Sequence, residues 1–168
     1  ADIADAAIAA LRDDAVDLLI VNWANVDVIG HSEEREAIKA AVSTVDGQLG
    51  RVLRVAKEMG VAALITADHG TVEKWYYPDG SIDTGHTDSP VPFVLVACHL
   101  GEDKGLHLRE GGTLVDVAPT VLELMVLDKP DAMTGVSLID GMDSEEPQRV
   151  ALFILDGIAV VIDFDPPG

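Results

Sequence analysis

Four short apolar runs punctuate the chain, at 17–23 (DLLIVNW), 61–66, 92–97 and 149–156 (RVALFILD). The first is too continuous for a sheet with one wet face and predicts burial on both faces, as in a parallel α/β sheet. Between the first two runs, apolar residues recur at Ile38, Val42, Val45, Leu49, Val52, Leu53 and Ala56. That three-and-four spacing predicts a long amphipathic helix over 33–59, ended by Gly60. The alanine-rich stretch 3–12 predicts a short helix. Residues 113–125 predict another, with Leu114, Val117, Val121, Leu122 and Met125 inward and Pro119 either in its first turn or kinking it. Segments 99–112 and 129–141 read as loops. Residues 73–85, with two tyrosines, Trp75 and the turn Pro78-Asp79-Gly80, read as a hairpin or an excursion from the sheet. A second apolar run, 158–164, follows the last strand. Alternating strands and helices predict an α/β fold of three αβα layers, a mostly parallel doubly wound sheet whose ligands gather at the carboxyl ends of strands.

Composition narrows the class. A chain of 168 residues, 48% hydrophobic, buries a substantial core and is most simply one domain, 1–168. A formal charge of −19 argues against nucleic acid or an anionic membrane surface as partner, because both would be repelled. It suits cation binding, although most of its carboxylates are expected to be a solvated surface. The single cysteine, Cys98, forms no intramolecular disulfide; it reads as core and fits a reducing cytoplasm. No apolar run approaches the roughly 18–20 residues that span a bilayer, and the acidic start, with Asp2 and Asp5, does not look like a signal peptide. The expectation is a soluble cytoplasmic protein.

The candidate chemistry sits at the ends of the apolar runs. LITADHG, 64–70, is a strand reaching a polar tip at Asp68 and His69. Asp27 and His31 follow the first run, Asp156 ends the last, and His86 precedes 92–97. Each Asp–His couple is equally well a hydrogen-bonded pair or a cap, and a lone His86 is commonly a surface or core histidine. Taken together, carboxylate oxygens mixed with imidazoles suit Mn²⁺, Zn²⁺ or Fe better than Ca²⁺ or a structural zinc. The four-residue spacing of Asp27 and His31 lets both face one ion if the segment is helical, with Gly30 allowing close approach. Two such ions a few ångströms apart would neutralise phosphate oxygens and activate an attacking oxygen, which implies a small phosphorylated substrate.

Four segments then carry a resemblance: Asn22-Trp-Ala-Asn-Val-Asp-Val-Ile-Gly-His31, Ile65-Thr-Ala-Asp-His-Gly70, Gly85-His-Thr-Asp-Ser-Pro-Val-Pro-Phe93 and Arg109-Glu-Gly-Gly-Thr-Leu-Val-Asp-Val-Ala-Pro-Thr120. In that order, continuing through Met133-Thr-Gly-Val-Ser-Leu138, they resemble the carboxyl-terminal part of cofactor-independent phosphoglycerate mutase, over roughly 17–139. The resemblance implies an alkaline-phosphatase-like fold and two divalent metals, manganese or, in some members, magnesium, zinc or cobalt. It implies an isomerase that interconverts 3- and 2-phosphoglycerate through a phosphoserine, as in glycolysis. It further implies that Asp27, His31 and His86 hold one metal and Asp68 and His69 the other. Phe153-Ile-Leu-Asp-Gly157 resembles the family's amino-terminal strand, whose Asp is a ligand of the second metal, so that Asp156 joins the second site and the order is permuted. The alternative is that 149–164 is an unrelated edge element.

The departures bear on activity. The family's nucleophilic serine stands in a Pro-Asn-Ser-Glu-like context that this chain lacks; Ser32, Ser43, Ser81, Ser89, Ser137 and Ser144 occupy other contexts, and no nucleophile is assigned. The inserted arginine-bearing substrate domain and the lysine before the Asp27 segment are absent too. Trp23 replaces a usual Tyr or Phe, and Thr71 a common Asn. Three readings follow: a mutase-derived metallodomain, completed by a partner chain supplying the missing half or left as a remnant; a phosphoesterase that uses activated water; and a non-enzymatic metal-binding or interaction protein.

Overall fold

The structure, a computed structural model, describes residues 2–32, 34–74, 76–77, 79–97, 107–140 and 147–159. Its main sheet has the order β1-β6-β2-β3, formed by β1 (Leu18–Asn22), β6 (Val150–Ile154), β2 (Ala62–Thr66) and β3 (Phe93–Val96). The amide of Val150 donates to the Asp17 carbonyl and that of Trp23 to the Ile154 carbonyl, so β1 and β6 start and finish together and run parallel. Ala62 to Arg149 and Leu155 to Thr66 make the same pattern between β2 and β6. The Thr66 hydroxyl, at the end of β2, donates to the Pro92 carbonyl just before β3, so β3 runs the other way. The sheet is therefore mixed and mostly parallel, as predicted.

The last strand among the described residues lies inside the sheet, and this overturns the edge-element reading for the described part of 149–164. Val150, Ala151, Leu152 and Phe153 are all buried because β6 has a strand on either side. The expectation that 17–23 is buried on both faces is overturned as well. Leu18, Ile20 and Asn22 are exposed on one face of β1 while Val21 is buried on the other, since among the described residues β1 is the end strand and only one of its faces is packed.

The residues gather into two compact units whose division crosses the strands. One comprises the described residues of 1–21, 50–64 and 95–152, the other those of 22–49, 65–94 and 153–168.

In the first unit, α1 (Asp2–Leu11) buries Ala4, Ala7 and Leu11. Its carboxyl end is held by Arg149, whose guanidinium donates to the carbonyls of Leu11, Asp13 and Val16, a cation placed where helix carbonyls are left over. Leu114–Asp116 forms one turn of 3-10 helix leading into α4 (Val117–Leu124), and Pro119 falls in the first turn. Leu114 is half-exposed, against expectation, because the tighter 3-10 turn rotates it off the α4 face; Leu124 is buried instead. Asp116 ties this region together. Its carboxylate accepts from the amides of Thr113 and Val136 and pairs with Arg109. The Val136 and Thr113 amides, followed by the Arg109 charge, hold its pKa down to about 2, against the opposing effect of burial. Two stretches expected to be loops contribute a short antiparallel ribbon, β4 (His107–Leu108) with β5 (Ile139–Asp140), too brief to leave a periodic signal.

The second unit holds the strand ends, α2 (Asn25–Gly30) and the first half of α3, which runs Arg35–Glu58 and ends at Gly60 with φ +65. The predicted excursion is present: Tyr76 bridges Ile82, and the turn is closed by Asp79 accepting from Ser81. Cys98 and most of 158–164 lie outside the described residues.

Candidate metal centre

All six candidate residues belong to the second unit, and local structure explains how each arrives. β1 leads into α2, which places Asp27 in its first turn and His31 at its carboxyl cap, on one face four residues apart. Val26, fully buried next to Asp27, anchors that turn. β2 is buried at every position, and polar side chains become free only beyond it, at Asp68 and His69. β6 likewise delivers Asp156. His86 comes from the loop before β3, which is fastened where the Thr87 amide donates to the Gly70 carbonyl at 2.8 Å.

Gly157 lets two of these segments meet. It has φ +81, and a Cβ there would fall 2.8 Å from the Asp27 Cα. The turn after β6 thus lies directly on the backbone of Asp27, bringing Asp156 beside a residue 129 positions earlier.

The side chains form two adjoining groups. In one, His31 Nε2 is 3.4 Å and His86 Nε2 3.3 Å from Asp27 Oδ1, and the two nitrogens are 3.3 Å apart. In the other, His69 Nε2 is 3.4 Å from Asp156 Oδ1 and 3.7 Å from Asp68 Oδ2. His69 also joins the first group, 4.0 Å from Asp27 Oδ1, with its ring stacked on His86 at 3.8 Å between centroids. Donor atoms of Asp27, His69 and His86, and of Asp68, His69 and Asp156, lie close enough to share an ion.

The imidazoles are turned for this. His31 Nδ1 faces the Thr84 carbonyl at 2.7 Å, and a carbonyl only accepts, so Nδ1 carries the proton and Nε2 presents its lone pair. His69 Nδ1 faces the Gly70 carbonyl at 3.2 Å, with the same consequence. Asp27 Oδ1 and His31 Nε2 then face each other as acceptors at 3.4 Å, with His86 Nε2 3.3 Å from both. That is the edge, about 3.4 Å, of a tetrahedron of donors held about 2.0–2.1 Å from a central cation. The residues present fit a divalent metal by donor chemistry also, three imidazoles and three carboxylates. Asp27 and Asp156 are mostly buried, whereas Asp68, His31 and His86 are about half-exposed at 47%, 45% and 50%, so the centre has a closed floor and an open rim.

Three further groups support the ligands and were not assigned a role by sequence. Asn22 Nδ2 donates to Asp156 Oδ2 at 2.9 Å, and the Thr71 hydroxyl to Asp27 Oδ1 at 3.1 Å. Asn22 opens the first quoted segment at a strand end, and Thr71 stands just after Asp-His-Gly, where it departs from a common Asn; those positions were the available signal. The Thr84 carbonyl is backbone and leaves none. Thr84 itself is held in a loop ordered by Asp83, which accepts from the Gly85 amide and whose hydrogen bond to Tyr77 raises that phenol's pKa.

Residues 1–129 match the model of the Metalloenzyme superfamily. The 2,3-bisphosphoglycerate-independent phosphoglycerate mutase of Prochlorococcus marinus (strain MIT 9313) is 44% identical over 142 residues, which cover 82% of this chain and 26% of that protein. The mutase of Natronomonas pharaonis is 44% identical over 139 residues, 83% of this chain and 27% of that one. Among solved structures, Leishmania mexicana phosphoglycerate mutase at low cobalt concentration superposes with a TM-score of 0.73 at 25% identity, covering 84% of this chain and 28% of that chain. The fold is alkaline-phosphatase-like, and the chain spans about a quarter of the length of the curated relatives it matches.

Proposed function

Because the chain belongs to the metalloenzyme superfamily, we propose that it is the metal-binding part of a phosphoglycerate-mutase-like phosphotransferase. Asp27, His31 and His86 hold one divalent cation, and Asp68, His69 and Asp156 a second, manganese first with magnesium, zinc or cobalt as alternatives. The observation that carries the reading is the Asp27–His31–His86 triangle, in which two acceptors, Asp27 Oδ1 and His31 Nε2, face each other at 3.4 Å with His86 Nε2 3.3 Å from both, a spacing that suits a shared cation. When bound, two such ions supply Lewis-acid chemistry to a phosphoryl group and to the oxygen that attacks it.

The chain's own residues do the rest. The buried carboxylates of Asp27 and Asp156 fix the floor, their second contacts spent on Thr71 and Asn22. The Thr84 and Gly70 carbonyls set the tautomers of His31 and His69. The half-exposed rim admits a small phosphorylated substrate, the cations offsetting the chain's charge. In this reading 1–168 is one phosphatase-like domain, in the cytoplasm, in which β6 takes the place of the family's amino-terminal strand.

Transfer between the two oxygens of a phosphoglycerate needs a nucleophile and a substrate domain, so in this reading the mutase activity belongs to these residues together with others that supply both, on the same chain or on a partner chain. One observation favours phosphoester hydrolysis by the chain alone. The rim is half-exposed at Asp68, His31 and His86, which gives water access as the attacking group, while Ser32 donates to the Ile29 carbonyl and Ser81 to Asp79. A manganese-dependent phosphatase assay with Asp68→Ala and His31→Ala as controls tests this: turnover lost in both variants supports an enzyme, and no turnover with metal retained supports a remnant.

A further inference from the structure

Thr71 touches both halves of the centre. Its side chain is buried, 1% exposed, and its hydroxyl lies 3.1 Å from Asp27 Oδ1 and 3.4 Å from His69 Nδ1. A hydroxyl has one proton to give and lone pairs to receive with. The Asp27 carboxylate only accepts, so the Thr71 proton goes to it. His69 Nδ1 carries a proton, by its contact with the Gly70 carbonyl, and the Thr71 oxygen is a second acceptor for it. The direction of the chain is thereby fixed, from His69 Nδ1–H to Thr71 Oγ1–H to Asp27 Oδ1.

Packing holds the hydroxyl in that orientation. The Thr71 methyl is seated against Gly30, where an added Cβ would come within 2.9 Å of it and within 3.1 Å of Val72 Cγ1. With the methyl fixed there, the hydroxyl is left facing Asp27 and His69.

Resting on the metal centre proposed above, we infer that Thr71 is a positioning residue that couples the two cation sites. Binding at His69 Nε2 withdraws electron density from the ring and makes Nδ1–H a stronger donor. The Thr71 hydroxyl, more strongly polarised, then holds Asp27 Oδ1 more firmly in the orientation that the neighbouring site needs. The reverse operates when the Asp27 site fills first, as linkage requires. Without the hydroxyl, Asp27 keeps its backbone placement and loses the bond that orients its carboxylate.

The test is titration of Mn²⁺ into the whole chain by calorimetry, with electron paramagnetic resonance to distinguish isolated from paired ions. Wild type is expected to fill both sites together and give a paired-ion signal at sub-stoichiometric metal. Thr71→Val, which keeps shape and removes the hydroxyl, is expected to lose roughly ten- to hundredfold in affinity at the Asp27 site and to fill stepwise through an isolated-ion signal. Thr71→Ser is expected to restore paired filling. If the valine variant does not fold, Thr71→Ala is read the same way. Paired filling and unchanged affinity in the variants lacking the hydroxyl would overturn the coupling and leave the metal centre standing. Absence of Mn²⁺ binding by wild type would remove the centre and the coupling with it.

Discussion

Asn22 and Asp156, 134 positions apart, are joined by a 2.9 Å hydrogen bond from the amide nitrogen to Oδ2, which leaves Asp156 Oδ1 turned toward His69 Nε2 at 3.4 Å. The bond depends on β6 lying beside β1, where Trp23 also stacks on Phe153 at 5.7 Å. Asn22→Ala leaves Asp156 free to rotate. Its expected effect is a loss of roughly tenfold to a hundredfold in affinity at the Asp68–His69–Asp156 site, with the other site retained, read by calorimetric titration with Mn²⁺.

The two groups also separate by their own ligands. Asp68→Ala touches only one group and is expected to reduce bound metal from two equivalents to one, whereas Asp27→Ala, removing the oxygen that faces His31, His86 and His69, is expected to cost more than one site. Metal analysis after gel filtration checks both.

Gly157→Ala is expected to be a damaging small substitution near the centre. The φ of +81 disfavours a side chain, and the added Cβ would meet the Asp27 backbone at 2.8–3.0 Å, which cannot yield as a flexible side chain would. The two effects together cost about 2 kcal/mol or more. Denaturant unfolding without metal measures it, and metal binding is expected to fall too, because Asp27 and Asp156 are forced apart.

Asp116 predicts an acid dependence away from the centre. Its pKa is about 2 when folded, against 3.8 for an unperturbed carboxyl, so the unfolded chain takes up its proton first as pH falls. The stabilisation is complete above about pH 4 and is lost as pH falls toward 2. Asp116→Asn is therefore expected to lower the melting temperature at neutral pH, with the gap to wild type narrowing between pH 4 and pH 2.

Much of this architecture was legible because strands and ligands advertise themselves differently. The LITADHG segment shows its apolar run and its polar tip in seven letters, and the α3 period over Ile38, Val45, Val52 and Ala56 is kept as buried positions in the structure. What escaped the sequence were features set by neighbours. Ile20 belongs to an apolar run, yet it is exposed on an unpacked face of β1, the end strand among the described residues. His107 pairs with Asp140 across a ribbon two residues long, too short for a period. The tautomer of His31 is set by a backbone carbonyl, which any residue at 84 would supply.

The most direct measurement is anomalous diffraction from crystals of the chain grown with manganese. Two peaks are expected, one among Asp27 Oδ1, His31 Nε2 and His86 Nε2, the other among Asp68, His69 Nε2 and Asp156, each about 2.0–2.3 Å from its donor atoms. Crystals that show His31 and His86 Nε2 hydrogen-bonded around Asp27, with no anomalous density there at saturating manganese, would contradict the account.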